Sequence, residues 1–250
     1  MPRTVVVQSH RQPLPHPWLG ATLASVRAWC AAQGFEYRFL GDELFALLPP
    51  AIRAKTAGQP VVASDLARLL ALEAELAAGA DRVAWLDADM LILSPETFSL
   101  PDVDDALFGR EFWLQWEGKR LKTRRQIHNA CMAFTSGGAV LPFYRFAAAR
   151  LLRRHTGEMV PQLAGPKFLG HLHNVLAFDV LETAQVLSPP LALAVLERDE
   201  ALLGRYNRSV AQLPAALNLC ASEVLRGALA DADVGAVIDR LLAEGWPDVE

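Results

Sequence analysis

Cysteine is scarce and unpaired in this chain. Cys30, Cys131 and Cys220 stand far apart in an odd set of three, which excludes a disulfide framework and the closely spaced thiolates of a structural zinc site. They read as reduced core residues. No apolar run reaches the roughly 18 residues of a membrane-spanning helix, and Thr4-Val5-Val6-Val7 follows the start without a secretory-leader pattern. A cytoplasmic setting is the expectation. Positive charge is in deficit, with a net charge of −4, which argues against a general nucleic-acid binder. The local exception is Lys119-Arg120-Leu121-Lys122-Thr123-Arg124-Arg125, read as a solvated loop with phosphate or anionic-acceptor contact as the functional alternative. Internal repeats and an interdomain linker are also lacking.

What the chain has is apolar content: 52% over 250 residues, enough for a substantial core. One domain over 1–220 with a helical extension over 221–250 fits that length. Thr4 to Gln8 reads as a buried strand, Trp18 to Gln33 as a helix closed by Gly34, and Phe35 to Leu40 as a second strand. This strand–helix–strand opening predicts an α/β fold with a mostly parallel sheet. Ser64 is placed to cap a helix from Asp65 to about Ala78, closed by Gly79 and followed directly by the apolar strand-like run Ala80 to Leu93 that carries Asp87 and Asp89. Glu111 to Trp116, Ala130 to Phe134 and Gln185 to Leu187 read as strands, Pro142 to Arg154 as a helix, and Ser222 to Gly245 as two polar helices.

Asp-x-Asp occurs three times, at Asp87/Asp89, Asp102/Asp104 and Asp231/Asp233. The second follows Pro101 in a turn, and the third reads as a helix N-cap. Only Asp87-Ala88-Asp89 is embedded in apolar strand-like sequence on both sides. Residues at i and i+2 of an extended chain point to opposite faces, so a tight turn at Ala88 is needed to converge the two carboxylates. Converged at a strand end, they form a hard-oxygen pair suited to Mg²⁺ or Mn²⁺ bridging a substrate diphosphate.

Ser64-Asp65-Leu66-Ala67-Arg68, a helix, and then Trp85-Leu86-Asp87-Ala88-Asp89-Met90 together resemble the heart of retaining glycosyltransferases of the GT-A fold. The similarity is to the DXD-containing sugar-binding transferases that include mannosyltransferases and clostridial glucosylating toxins, and also to the glycogenin-like family. Asn129-Ala130-Cys131-Met132-Ala133 resembles that family's Asn-led strand, and Gly165-Pro166-Lys167-Phe168-Leu169 its Gly-Pro helix start. The resemblance covers about residues 4 to 190 and is sharpest over Ser64 to Leu93.

It implies a mixed, mostly parallel sheet flanked by helices and a metal-dependent, retaining transfer from a UDP- or GDP-sugar to a glycan, glycolipid or lipid-linked acceptor. Asp65, Arg68, Asp87 and Asp89 are then the catalytic set. Asp89 ligates Mn²⁺ or Mg²⁺, and Asp87 contacts ribose, sugar or metal. Asp65 and Arg68, three apart on one helix face, serve the donor sugar's hydroxyls and phosphate oxygens, with the guanidinium offering a planar fork. The family's further metal ligand lies near the C-terminus, often in a His-x-Trp setting that this chain lacks. Asn218 falls in that region, with His171 and His173 as alternatives. Open α/β sheets bind ligands beyond their strand carboxyl ends, which nominates Gln8, Ser9 and His10, with Asn129, for the nucleotide side. Trp18 is a candidate base-stacking residue, and Trp113 and Trp116 flank the acceptor side.

Two other functions compete. A non-catalytic nucleotide-sugar or glycan-binding relative would keep the fold and lose turnover. A phosphatase of the haloacid dehalogenase type also carries Asp-x-Asp, but near its first strand and followed by Thr or Val, where this chain has Leu91.

Overall fold

A computed structural model describes residues 2–176 and 178–249. In chain order the first half contains β1 (Thr4–Ser9), α1 (Leu19–Gln33), β2 (Glu36–Leu40), a 3-10 turn (Asp42–Leu47), α2 (Pro50–Lys55), α3 (Pro60–Ala77), β3 (Arg82–Leu86) and β4 (Met90–Ile92). There follow β5 (Ala106–Glu117), β6 (Arg120–Thr135), α4 (Val140–Arg154), α5 (Pro166–His173), β7 (Asp179–Leu181) and β8 (Ala184–Val186). The chain closes with α6 (Pro189–Glu197), α7 (Glu200–Asn207), β9 (Ala216–Asn218), α8 (Ala221–Leu225) and α9 (Asp231–Glu244).

Six strands form a mixed sheet in the order β2-β1-β3-β6-β5-β7. β1 pairs in parallel with β2 and β3, and β7 with β5, while β6 runs antiparallel to both neighbours. The fold is thus α/β, with a mixed, mostly parallel sheet flanked by helices. The run Val5-Val6-Val7 is continuously apolar because both faces are covered. Val5 and Val7 pack toward Leu66 and Leu69 of α3, and Val6 toward Val26 and Trp29 of α1, the two-residue alternation of a strand.

A smaller sheet, in the order β4-β9-β8, lies beyond the end of β3. There Met90 pairs with Asn218, which joins the segment after the Asp-x-Asp turn to the last strand of the chain. The C-terminal helix belongs to the body of the protein. Val234, Val237, Ile238 and Leu241 of α9 are buried in the cluster that holds Trp18, Leu19 and Leu191.

Three expectations change. The α3 helix begins at Pro60, so Ser64 lies inside it and its hydroxyl donates to the Val61 carbonyl at 2.8 Å instead of capping an N-terminus. Proline at the first helical turn explains the earlier start, since its missing N–H would have no partner there. The basic run is no loop. A turn at Gly118, with φ of +60°, reverses the chain, and Arg120 to Gln126 pair residue by residue with Glu117 to Glu111. Lys122 and Arg124 face Glu117 in ion pairs, and Arg125 meets Glu182 at 3.0 Å. Asp231 is not an N-cap, a position held by Ala230. Its Oδ1 lies 2.7 Å from His16 Nδ1 and accepts the Trp18 Nε1 hydrogen bond at 2.7 Å, so it fastens α9 to the loop after β1.

Candidate functional site

At the end of β3 the chain turns sharply. The Met90 N–H donates to the Asp87 carbonyl at 2.9 Å, so Asp87-Ala88-Asp89 form the turn that the sequence requires. The turn is held on three sides. Thr22 Oγ1 of α1 lies 2.6 Å from the Ala88 carbonyl, Gln8 Nε2 of β1 donates to the Asp87 carbonyl at 3.0 Å, and the Asp87 N–H donates to the Ala130 carbonyl at 2.8 Å.

The Asp87 carboxylate is about one quarter exposed. Its Oδ1 accepts from Arg68 Nη1 at 2.8 Å and from Trp85 Nε1 at 2.6 Å. Among the described residues no donor reaches Oδ2. The Arg68 guanidinium sits 5.0 Å from the Trp85 ring centroid and also donates to the Asn129 carbonyl at 3.0 Å. Burial disfavours its charged form, but the carboxylates of Asp87 and Asp65 outweigh this and raise its pKa. It remains cationic.

Asp65 is buried one turn before Arg68, 3.8 Å from its Nη2. Its Oδ1 accepts from Asn129 Nδ2 at 2.8 Å, while Oδ2 is buried without a partner. Burial pushes this carboxyl up to about 6, against the pull of Arg68 and of the Asn129 hydrogen bond. Gly165, at the start of α5, closes the cluster. A Cβ there would stand 2.9 Å from Asp65 Oδ2 and 3.0 Å from Asn129 Nδ2, so the backbone approaches as only glycine permits.

A bulge aims Asn129. Phe108 of β5 pairs with Met132, but Gly109 pairs with His128, leaving Asn129 to Cys131 unpaired with β5. These residues lean toward β3 instead, where Leu86 pairs with Cys131. Bulges that redirect a side chain recur beside active sites. His128 anchors the bulge: its Nδ1 accepts from the Ala130 N–H at 3.1 Å and its Nε2 donates to the Ala184 carbonyl at 3.2 Å. Burial lowers its pKa to about 4, so it is a neutral Nε2–H tautomer. Sequence reasoning missed it. The only signal was its place beside Asn129.

Asp89 is fixed from the other side. Oδ1 accepts from Asn218 Nδ2 at 2.7 Å and Oδ2 from the Ala221 N–H at 2.8 Å. The Asn218 amide is oriented by the Cys220 N–H, which donates to Oδ1 at 3.0 Å. Asn218 therefore meets Asp89 with its N–H, in the position of a residue that orients the carboxylate. Burial raises the Asp89 carboxyl, and the negative charge of Asp87 raises it further. Burial raises the neighbouring Cys220 thiol, and the negative charge of Asp89 raises it further.

The two carboxylates are the hard-oxygen kind that a divalent ion takes, with both Asp89 oxygens also accepting protein hydrogen bonds. Two carboxylates repel across a turn, and one of them has an oxygen without a protein donor. Mg²⁺ commonly takes one or two carboxylates and completes its shell from substrate phosphates and water. Among the described residues no group of three or more His, Cys, Asp or Glu could hold a metal. His171 and His173 lie on α5, two apart and on different faces. Neither hydrogen-bonds to Asp87 or Asp89 among the described residues.

Gln8 is fully buried, with Nε2 on the Asp87 carbonyl and Oε1 accepting from Tyr37 at 3.0 Å. It tethers the turn and has no polar atom left over for a nucleotide. Ser9 and His10 lie beside it, partly exposed, and burial lowers the His10 pKa. Trp18 is buried against α9. Trp113 is partly exposed opposite Arg124, and Trp116, near the hairpin tip, is 56% exposed.

No protein-family model matches the chain, and no curated protein matches it. Among solved structures it is similar to a glycosyltransferase involved in the glycosylation of the major capsid of PBCV-1. The two share 11% identity with a TM-score of 0.48, over 94% of this chain and 99% of that one.

Proposed function

We propose that this protein is a metal-dependent, retaining glycosyltransferase that uses a nucleotide-diphosphate sugar, with UDP- and GDP-sugars as the donor class and a glycan or lipid-linked acceptor. The observation that carries the reading is the Asp87-Ala88-Asp89 turn at the carboxyl end of β3, where Arg68 grips one carboxylate while Asn218 and Ala221 grip the other. Open α/β sheets take ligands at that end.

In this reading Asp87 and Asp89 hold Mn²⁺ or Mg²⁺. Such an ion supplies Lewis-acid stabilisation of the charge that develops on the leaving diphosphate. Arg68 is a fixed cation that holds the Asp87 carboxylate at 2.8 Å. Asp65, buried behind the turn and held by Asn129, fixes Arg68 in place from 3.8 Å. The bond from the anomeric carbon to the diphosphate breaks, a bond to the acceptor oxygen forms on the same face, and the acceptor proton leaves with the diphosphate.

The phosphatase reading needs its Asp-x-Asp close to the first strand, whereas here the pair follows β3 and Leu91 stands where that type has Thr or Val. A binding-only relative would share the site and lack turnover. Incubation with UDP- and GDP-sugars plus Mn²⁺, with chromatographic detection of released nucleoside diphosphate, separates the two. Release that depends on metal and is lost in Asp89→Asn supports the enzyme. Tight binding without release would leave only the binding function.

A further inference from the structure

The outer face of α4 has no protein partner among the described residues, yet it is both apolar and basic. Phe143 and Phe146 are 47% and 57% exposed. With Leu151 and with Phe168 of α5 they line an open groove edged by Arg150 and Arg154. The spacing of 143, 146, 150 and 154 sets these residues on one stripe of the helix. The opposite stripe, Leu141, Tyr144, Ala148 and Leu152, is core.

The charge of this helix is one-sided. From Val140 to Arg154 it carries four arginines and no acid, in a protein whose net charge is −4. Arg145 pairs with Glu73 at 2.9 Å, but no carboxylate among the described residues lies within 4 Å of Arg150, Arg153 or Arg154. Lys55 of α2 adds to the cluster, donating to the Arg153 and His155 carbonyls at 2.8 and 2.5 Å. Basic residues in a last turn offset the helix dipole, which accounts for Arg153 and Arg154. That effect explains neither Arg150 nor two outward phenylalanines in the middle of the helix.

We infer that this stripe docks the protein on an anionic membrane surface. Interfacial helices combine Phe or Leu, inserted at the acyl boundary, with Lys and Arg facing anionic headgroups. The charge complementarity commits the groove to that occupant: a partner helix of ordinary composition would leave two unpaired arginines, Arg150 and Arg154, at an apolar seam. Docking also brings the membrane close to the candidate site. Phe168 stacks on Tyr144 at 5.6 Å, and the Tyr144 hydroxyl donates to the Ala164 carbonyl at 2.7 Å, next to the Gly165 backbone that abuts Asp65. The inference goes beyond the transferase reading and is tested without nucleotide or metal.

The test is flotation of the full chain with vesicles of phosphatidylcholine alone and of phosphatidylcholine with phosphatidylglycerol. Binding to the anionic vesicles only, released by high salt, is expected. Phe143→Ser with Phe146→Ser, and separately Arg150→Glu with Arg154→Glu, should each lower partitioning by roughly tenfold or more. Circular dichroism should be unchanged, because these side chains are exposed. A milder variant, Phe146→Trp, should show a blue-shifted emission increment with anionic vesicles relative to the parent protein. Absence of anionic-vesicle binding would overturn the inference. So would binding indifferent to both double variants, or retention on a soluble polyanion without vesicle binding.

Discussion

Replacing Arg68 by Met keeps most of the side chain's apolar stem and removes a guanidinium that lies 2.8 Å from Asp87 and 3.8 Å from Asp65. Removing one partner of a buried pair leaves an uncompensated charge and costs about 3–5 kcal/mol. The loss should depend on pH, and its sign follows from Asp65. That carboxyl stands at about 6 in the folded protein although Arg68 pulls it down, against about 3.9 unfolded. A raised carboxyl contributes stability below its unfolded value and loses it as pH rises through the folded value. Without Arg68 the folded value climbs further, so the loss extends to higher pH. Urea unfolding at pH 5 and pH 8 should therefore show a smaller penalty at pH 5, by about 1–2 kcal/mol. Asp65→Asn in the same background should flatten that difference. Equal penalties at both pH values, or no effect of Asp65→Asn, would refute the electrostatic account of this cluster.

Gly109→Ala should destabilise the protein by about 1–3 kcal/mol in urea unfolding, because its Cβ would stand 2.3 Å from His128 Nε2 and 3.1 Å from the Ala184 carbonyl. A neutral result would mean that the bulge at Asn129 is not held by His128. Asn218→Ala removes the donor to Asp89 and the acceptor for Cys220. It should weaken metal-dependent nucleotide binding by about 10- to 100-fold with helix content preserved. Asp231→Ala leaves the His16 and Trp18 ring nitrogens without their acceptor, and should lower stability by about 1–3 kcal/mol. A red-shifted tryptophan emission should accompany that loss as Trp18 loosens from α9.

The parts of the fold legible in the sequence are those where one period dominates. Val5 to Val7, the helix from Leu19 and the strand before Asp87 are uniform signals, and each becomes the expected element. The turn at Ala88 was legible too, because two carboxylates at i and i+2 can converge only if the chain bends there. The hairpin was hidden for a physical reason. Lys122, Thr123, Arg124 and Arg125 show no apolar alternation, since cross-strand partners such as Glu117 and the distant Glu182 support that strand. The α3 start was obscured by Pro60, which looks like an interruption and acts as a first-turn residue. Long-range pairings were beyond local reading: Asn129 meeting Asp65 spans 64 residues and Asp89 meeting Asn218 spans 129. Nothing local separates His128, which orients the bulge, from any other strand histidine.

The measurement closest to the central claim is calorimetric titration of UDP and GDP into the protein with and without Mn²⁺, repeated on Asp89→Asn. The account predicts that one nucleotide binds only with Mn²⁺ present and that the substitution abolishes binding while the protein stays folded. Failure of both nucleotides to bind the folded protein in the presence of Mn²⁺ would contradict it.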